Sequence, residues 1–275
     1  MSRTPTRLRS LIALACSMAG LAGCSFGPQE WVEAQERFEL PGEGLTRIEA
    51  STHNGAIEVQ GRAETGPVRV SVRKKAGGSD LADAEEALAN VEIVRERKGE
   101  VLELGWRWRE CQTGWGAVVS FEVEAPRALA VQLQSHNGRL VAKGMQGPTR
   151  MTTHNGGARV EESGAEVRVE THNGEVDVSG ALRKVDAVSY NGRVKVWAKE
   201  AGPVDGSLVT HNGGVSIELA EGVSTRVEAR THNGSVRPAE RFQGQQESRR
   251  MYSGTLGDGK GRLEVTTYNG SIDLR

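Results

Sequence analysis

The chain alternates apolar and polar residues in short runs that stop and restart around one dipeptide, Asn-Gly. The interruptions are Asn54-Gly55, Asn137-Gly138, Asn155-Gly156, Asn173-Gly174, Asn191-Gly192, Asn212-Gly213, Asn233-Gly234 and Asn269-Gly270. Four residues before each Asn stands Ala50, Leu133, Met151, Val169, Ala187, Leu208, Ala229 or Val265. Three residues after it stands Ile57, Leu140, Ala158, Val176, Val194, Val215, Val236 or Ile272. Five residues after it stands Val59, Ala142, Val160, Val178, Val196, Ile217, Pro238 or Leu274. The residue two before the Asn is always Ser or Thr, and the one directly before it is always His or Tyr. Alternation with period two on both sides of a turn predicts half-buried β-strands.

From Asn137 the motif recurs in steps of 18, 18, 18, 21, 21 and 36 residues. The last step spans two periods, with Tyr252-Ser253-Gly254 as a degenerate unit between them. A fixed period near 20 is the mark of a repeat architecture. Two arrangements suit the pattern. Asn-Gly can close a two-residue hairpin, or it can form the corner of a coil that stacks in parallel on the next. A hairpin sets Glu170 against Asp177 and Arg230 against Arg237, and like charges directly opposite are unfavourable. Stacked coils instead set Arg159, Asp177 and Lys195 in one column and Glu175 beside Arg193. Each coil also covers the open edge of its neighbour. The pattern therefore predicts an all-β solenoid with parallel coils of roughly 18–21 residues. At the corner, Asn and Gly are expected to accept positive φ, and stacked Asn side chains to hydrogen-bond along the column.

The interval between Asn54 and Asn137 reads differently. Asp80–Asn90, DLADAEEALAN, has helical composition, with Ser79 or Asp80 as N-cap. Strands are expected at Val68–Arg73, Val91–Arg95, Val101–Arg109 and Val118–Glu124. This segment, residues 60–130, supplies a small α/β cap for the first coil, which a solenoid needs. Residues 24–44 read as a tether and 45–275 as the solenoid domain.

Composition adds little but excludes much. Aromatics make up only 4% of residues, so the core is built from Val, Leu, Ile and Ala. Lys plus Arg (35) nearly balance Asp plus Glu (36), and no motif points to nucleic acid. The N-terminus has a positive region (Arg3, Arg7, Arg9) and a short apolar run, Leu11–Leu21, below the roughly 20 residues needed to span a bilayer. The run ends in Leu21-Ala22-Gly23-Cys24, which resembles the lipobox of bacterial lipoproteins. That resemblance implies a signal peptide over residues 1–23, cleavage before Cys24 and a lipid on its thiol. Multiple acyl chains anchor stably. Ser25 in place of Asp resembles outer-membrane sorting, which places the protein in the cell envelope, facing the periplasm or the surface. Cys16 leaves with the signal, so Cys111 is alone and no intramolecular disulfide forms.

Repeated strand–Ser/Thr–x–Asn–Gly–strand units behind a lipoprotein signal resemble a bacterial adhesin-like domain family of unknown function, related to the domains called head GIN. The resemblance covers Thr46 to Arg275. It implies a right-handed, single-stranded parallel β-helix, and a fold more than an activity.

Three sites carry candidate chemistry. All six histidines precede an Asn-Gly corner, and His136, His154 and His172 are expected to form a surface column. A line of imidazoles could share a soft metal, but Tyr190 and Tyr268 occupy the same position, and a structural zinc site wants a tetrahedral set. The column is read as architectural, with no metal and no cofactor. Trp106, Trp108 and Trp115 crowd into WRWRECQTGW, either as a binding patch or packed on the cap or first coil. Catalysis has no motif: no nucleophile elbow, phosphate loop or His-Glu-x-x-His. The function expected is a non-catalytic envelope scaffold or binding module for a protein or polysaccharide. Envelope-stress sensing is the alternative reading, and a polysaccharide-active enzyme the third.

Overall fold

The structure, a computed structural model, describes residues 28–110, 116–164 and 166–275. The strands β1 (Glu30–Leu40), β2 (Arg47–Asn54), β3 (Ile57–Gly61) and β4 (Val68–Gly78) precede the helix α1 (Leu81–Asn90). β5 (Val91–Lys98), β6 (Val101–Trp108) and β7 (Ala117–Ala125) complete the N-terminal part. The repeats then run as pairs: β8 (Ala130–Asn137) with β9 (Leu140–Lys143), β10 (Thr149–Asn155) with β11 (Ala158–Ser163), and β12 (Val167–Asn173) with β13 (Val176–Gly180). β14 (Lys184–Asn191) and β15 (Val194–Ala198) follow, then the short β16 (Gly202–Pro203), β17 (Asp205–Asn212) and β18 (Val215–Leu219). The chain closes with β19 (Val223–Asn233), β20 (Val236–Pro238), β21 (Gln243–Ser248), β22 (Met251–Leu256), β23 (Gly261–Asn269) and β24 (Ile272–Leu274).

Strands before and after each Asn-Gly belong to two different sheets, so the corner is not a hairpin turn. One sheet orders its strands β1-β4-β7-β3-β9-β11-β13-β15-β18-β24-β20; the other runs β21-β22-β19-β23-β17-β14-β12-β10-β8-β2-β6-β5. Equal repeat positions lie side by side in parallel: Asn155 is flanked by Asn137 and Asn173, and Asp177 by Arg159 and Lys195. The alternation explains why. One-residue slippage would turn every apolar side chain outward. The inward positions of both sheets, from Ile48 and Ile57 to Ile272 and Leu274, merge into one buried cluster. Pro238 alone of the expected inward set is only half-buried.

The order of coils in space differs from their order in sequence at both ends. β2–β3 stacks directly on β8–β9 at an offset of 83 residues, Asn54 beside Asn137, and β6 and β7 pair in parallel with β2 and β3 on the far side. Half of the expected cap is therefore itself a coil. The cap proper is antiparallel: β5 on β6, β4 on β7 and β1 on β4. The helix begins where expected, with the Asp80 carboxylate accepting from the Asp83 N–H at 2.9 Å. It buries Ala84, Ala87 and Leu88 against Val32 and Ala76.

Two expectations are corrected. Much of the stretch read as a tether is β1, paired with β4 over its whole length. Its inward row, Val32, Ala34, Glu36, Phe38 and Leu40, is broken by Glu36, which forms an ion pair with the mostly buried Lys74 at 2.7 Å. Secondly, Tyr252-Ser253-Gly254 is no coil. It lies in β22, antiparallel to β19, and with β21 forms a hairpin over that end. The place of the missing coil is taken by β23–β24, which inserts between β17–β18 and β19–β20.

Candidate functional site

The corner is the feature repeated most often, and four of its residue positions line up along the stack. The Ser or Thr two before the Asn points inward and is buried in every unit. A buried hydroxyl without a partner is unfavourable. Each one donates to a carbonyl of the neighbouring coil: Thr171 to Gly156, Ser189 to Gly174, Thr210 to Gly192 and Thr267 to Gly213, at 2.8–2.9 Å. At the N-terminal end Thr52 donates to Val119 at 2.8 Å, so β7 stands in for an Asn-Gly corner.

The Asn side chains form a continuous amide ladder. Along the order Asn54, Asn137, Asn155, Asn173, Asn191, Asn212, Asn269 and Asn233, each Nδ2 donates to the Oδ1 of the Asn before it at 2.8 Å. Such chains of amides polarise one another.

Glycine is required here for a reason other than the one expected. Among the Asn-Gly residues only Gly55 has positive φ, 138°. A Cβ on Gly138 would instead lie 1.7 Å from the Gly55 carbonyl oxygen, and one on Gly174 2.0 Å from that of Gly156. Close approach of neighbouring coils excludes a side chain.

The residues just before the Asn stack as flat rings. The order is His53, His136, His154, His172, Tyr190, His211, Tyr268, His232, with neighbouring centroids 4.6–4.9 Å apart and planes within 15°. That spacing is the separation of strands in a sheet. The imidazoles face one another rather than converge on a point. Among the described residues no group of three or more His, Cys, Asp or Glu side chains is placed to hold a metal ion.

The charge column is present in register but pairs differently than expected. Arg159 reaches Asp177 at 3.5 Å, while Lys195 turns from Asp177 to Glu175 at 2.6 Å, and Arg193 lies beside Glu175 with its carbonyl accepting from the Val176 N–H at 2.9 Å.

Trp106 and Trp108 meet edge to face, 5.4 Å between centroids, and are half-buried against the main core. Trp106 donates its indole N–H to the Thr52 hydroxyl at 3.2 Å, tying β6 to the first Asn-Gly coil. Trp115, Cys111 and Cys24 lie outside the described residues.

Exposed apolar surface lies elsewhere. On the outer face of the second sheet, a groove of about 520 Å³ is lined by Val188, Val209, Tyr190, Tyr268, Arg230 and Met251, among others. Trp197 stands on the outer face of the first sheet, 45% exposed, with Lys199 Nζ 4.4 Å from its ring centre. The alternation Val194-Lys195-Val196-Trp197-Ala198 marks Trp197 as outward, but the cluster at WRWRECQTGW draws attention first. Among the described residues no helix is long and apolar enough to cross a membrane.

A model of the Toastrack DUF4097 family matches residues 37–275. No curated protein matches the chain significantly. Among solved structures, the chain is similar to a candidate cell adhesion protein from Clostridium sporogenes, with 14% identity, 88% of this chain and 98% of that one covered, and a TM-score of 0.39. It is also similar to a candidate adhesin from Bacteroides fragilis, with 9% identity, coverage of 88% and 97%, and a TM-score of 0.47. A candidate lipid-binding protein from Parabacteroides distasonis has 12% identity, coverage of 88% and 96%, and a TM-score of 0.32.

Proposed function

We propose, since the chain belongs to the Toastrack DUF4097 family and its corners stack in unbroken columns, that it is a non-catalytic binding scaffold of the cell envelope. In this reading the chain winds as a right-handed, single-stranded β-helix of roughly 18–21-residue coils. The strong preference of parallel β-crossovers for the right hand supports that sense. Cys24 carries the lipid and holds the protein at the outer membrane. The observation that carries the binding role is periodicity. Equal outward positions recur at each strand step, about 4.8 Å apart, on two broad faces that each carry exposed apolar side chains, Val188 on one and Trp197 on the other. A surface of that kind suits an extended partner, a polysaccharide or a stretched protein segment, better than a small molecule.

Two measurements test this. Cys24→Ala should abolish labelling by a radioactive fatty acid and release the chain from membranes; undiminished labelling removes the anchor from the reading. The mature chain should bind purified envelope polysaccharide or envelope protein saturably. Val188→Ser with Val209→Ser, or Trp197→Ser, should weaken that binding about tenfold at unchanged melting temperature. Depolymerisation of the polysaccharide, or no saturable binding to either, would sink the scaffold reading.

A further inference from the structure

Towards its C-terminal end the regular stack is interrupted by a fork. β16 lies beside the start of β19 in parallel, Gly202 next to Val223 and Pro203 next to Ser224. The Gly202 N–H donates to the Gly222 carbonyl at 3.0 Å, and the Val204 N–H to the Ser224 carbonyl at 3.3 Å. The Thr225 hydroxyl donates to the Val204 carbonyl at 2.9 Å. The paired residues are 21 apart, the same offset at which β14 and β17 stack with Asn191 beside Asn212. Immediately beyond, the two strands part. β23 enters, with Leu263 between Gly206 and Val227, while β24 separates β18 from β20 in the facing sheet. Gly261 sits at the crotch, where a Cβ would lie 2.2 Å from the Val204 carbonyl oxygen.

We propose that this fork is a strand-exchange seam: β23–β24 is a removable wedge, and without it β19–β20 closes directly onto β17–β18 in a second register already written into the sequence. The offset of 21 seen at β16 continues through both strands without a break. It sets Leu208 beside Ala229, Thr210 beside Thr231, Asn212 beside Asn233 and Val215 beside Val236, so inward residues stay inward. No like charges meet: Asp205 faces Arg226, Ser207 faces Glu228 and Ser216 faces Arg237. His211 would stack on His232, and Gly234 would meet the Gly213 carbonyl as it now meets that of Gly270. The hairpin β21–β22 travels with β19, to which it is bonded.

The wedge normally wins because Leu263, Val265, Ile272 and Leu274 are buried by it. Its entry turn carries Gly257 and Gly259 at positive φ, 64° and 68°, which suits a hinge. The natural occupant of the seam is residues 261–275 of the chain itself.

The test uses the mature chain with Cys24→Ser and Cys111→Ser, carrying Ser207→Cys and Glu228→Cys. In the intact chain β23 separates these positions by two strand spacings, about 9.6 Å, beyond the reach of a disulfide. Ser207→Cys with Glu264→Cys should cross-link instead, as neighbours do. A chain ending at Gly259, and separately Gly261→Val in the full chain, should both expel the wedge. Either should then form the 207–228 disulfide in high yield while keeping its β circular dichroism. A synthetic peptide of residues 261–275 should suppress that disulfide in the truncated chain. Cross-linking in either variant, suppressed by the peptide, upholds the seam. A folded variant that forms no 207–228 disulfide overturns it, as do collapse of both variants and a yield indifferent to the peptide.

Discussion

At the scale of the residue, the stack is held by what each corner cannot do without. The Thr171 hydroxyl is the inward polar group of its corner, and it bonds the Gly156 carbonyl at 2.9 Å. Thr171→Val keeps the shape and removes the donor, and should cost about 1 kcal/mol. Gly174→Ala adds one methyl 2.0 Å from a backbone oxygen that cannot turn aside. Its cost should be larger, roughly 2–4 kcal/mol. Gly157→Ala places its Cβ 3.3 Å from the Glu175 carbonyl and should cost within about 1 kcal/mol. Urea unfolding of the three variants separates close approach from conformational freedom. If Gly174→Ala and Gly157→Ala were equally mild, the contact would not be limiting. The rings are a milder requirement. Tyr already alternates with His in the column, and both offer a flat face at strand spacing with a polar tip. The triple change His136→Tyr, His154→Tyr, His172→Tyr should therefore retain the fold, with a loss of about 1 kcal/mol or less. Calorimetry should find no saturable micromolar zinc or nickel binding to the original; binding that the triple change removes would make the column a metal site.

At the scale of the element, the end hairpin shows how a coil-like sequence can fold otherwise. Tyr252 in β22 faces inward and is buried, with its ring laid over Gly244 and Gly254, which leave room for it. Its hydroxyl has no hydrogen-bond partner, and burial pushes the phenol up from its ordinary value. The unfolded tyrosine ionises near pH 10 while the folded one resists. This contribution to stability is therefore full below about pH 10 and falls as pH rises through the folded value. Tyr252→Phe should stabilise the chain by up to about 1 kcal/mol at neutral pH, and the gain should grow above pH 10 in thermal melts. A loss at neutral pH would mean the hydroxyl is satisfied by solvent. The same elements show where sequence reading stops. The repeat strands, their inward residues and α1 were legible because alternation and capping are local. The wedge was not, because Asn233 and Asn269 carry the same pattern and either matches the face of Asn212. The coil β6–β7 was hidden because Val119, not an Asn-Gly, receives the Thr52 hydroxyl. β1 was hidden by Glu36, whose partner Lys74 lies on a strand far along the chain. Of the candidate surface, Trp197 was legible from alternation alone. The groove was not, since it needs β14, β17, β23 and β19 side by side.

At the scale of the whole molecule, the interior coils are interchangeable while the ends are not. β10, β12 and β14 stack with offsets of 18, Thr149 beside Val167 and Val167 beside Val185. Removing one offset, residues 152–169, joins Met151 to Glu170 within a strand. The hybrid strand then has Met151 between Leu133 and Ala187, Thr171 between Ser135 and Ser189, and Asn173 between Asn137 and Asn191. β13 meets β9 and β15, with Val176 between Leu140 and Val194. Every inward position, hydroxyl, amide and ring finds a partner of its own kind, and both caps are untouched. Stacked repeats contribute approximately through nearest-neighbour interfaces, so the shortened chain should fold, with undiminished β circular dichroism per residue and a single melting transition at somewhat lower temperature. Removing residues 152–168 instead joins Met151 to Val169. That one extra residue makes two inward side chains adjacent and turns the rest of the strand over. Thr171, Val176 and Val178 could then return inward only through a bulge at the junction. This chain should melt at least 10 °C below the other or accumulate as aggregate. If the two deletions behaved alike, the stack would not be held by register, and the parallel ladders along its edge would be a consequence of the fold rather than its cause.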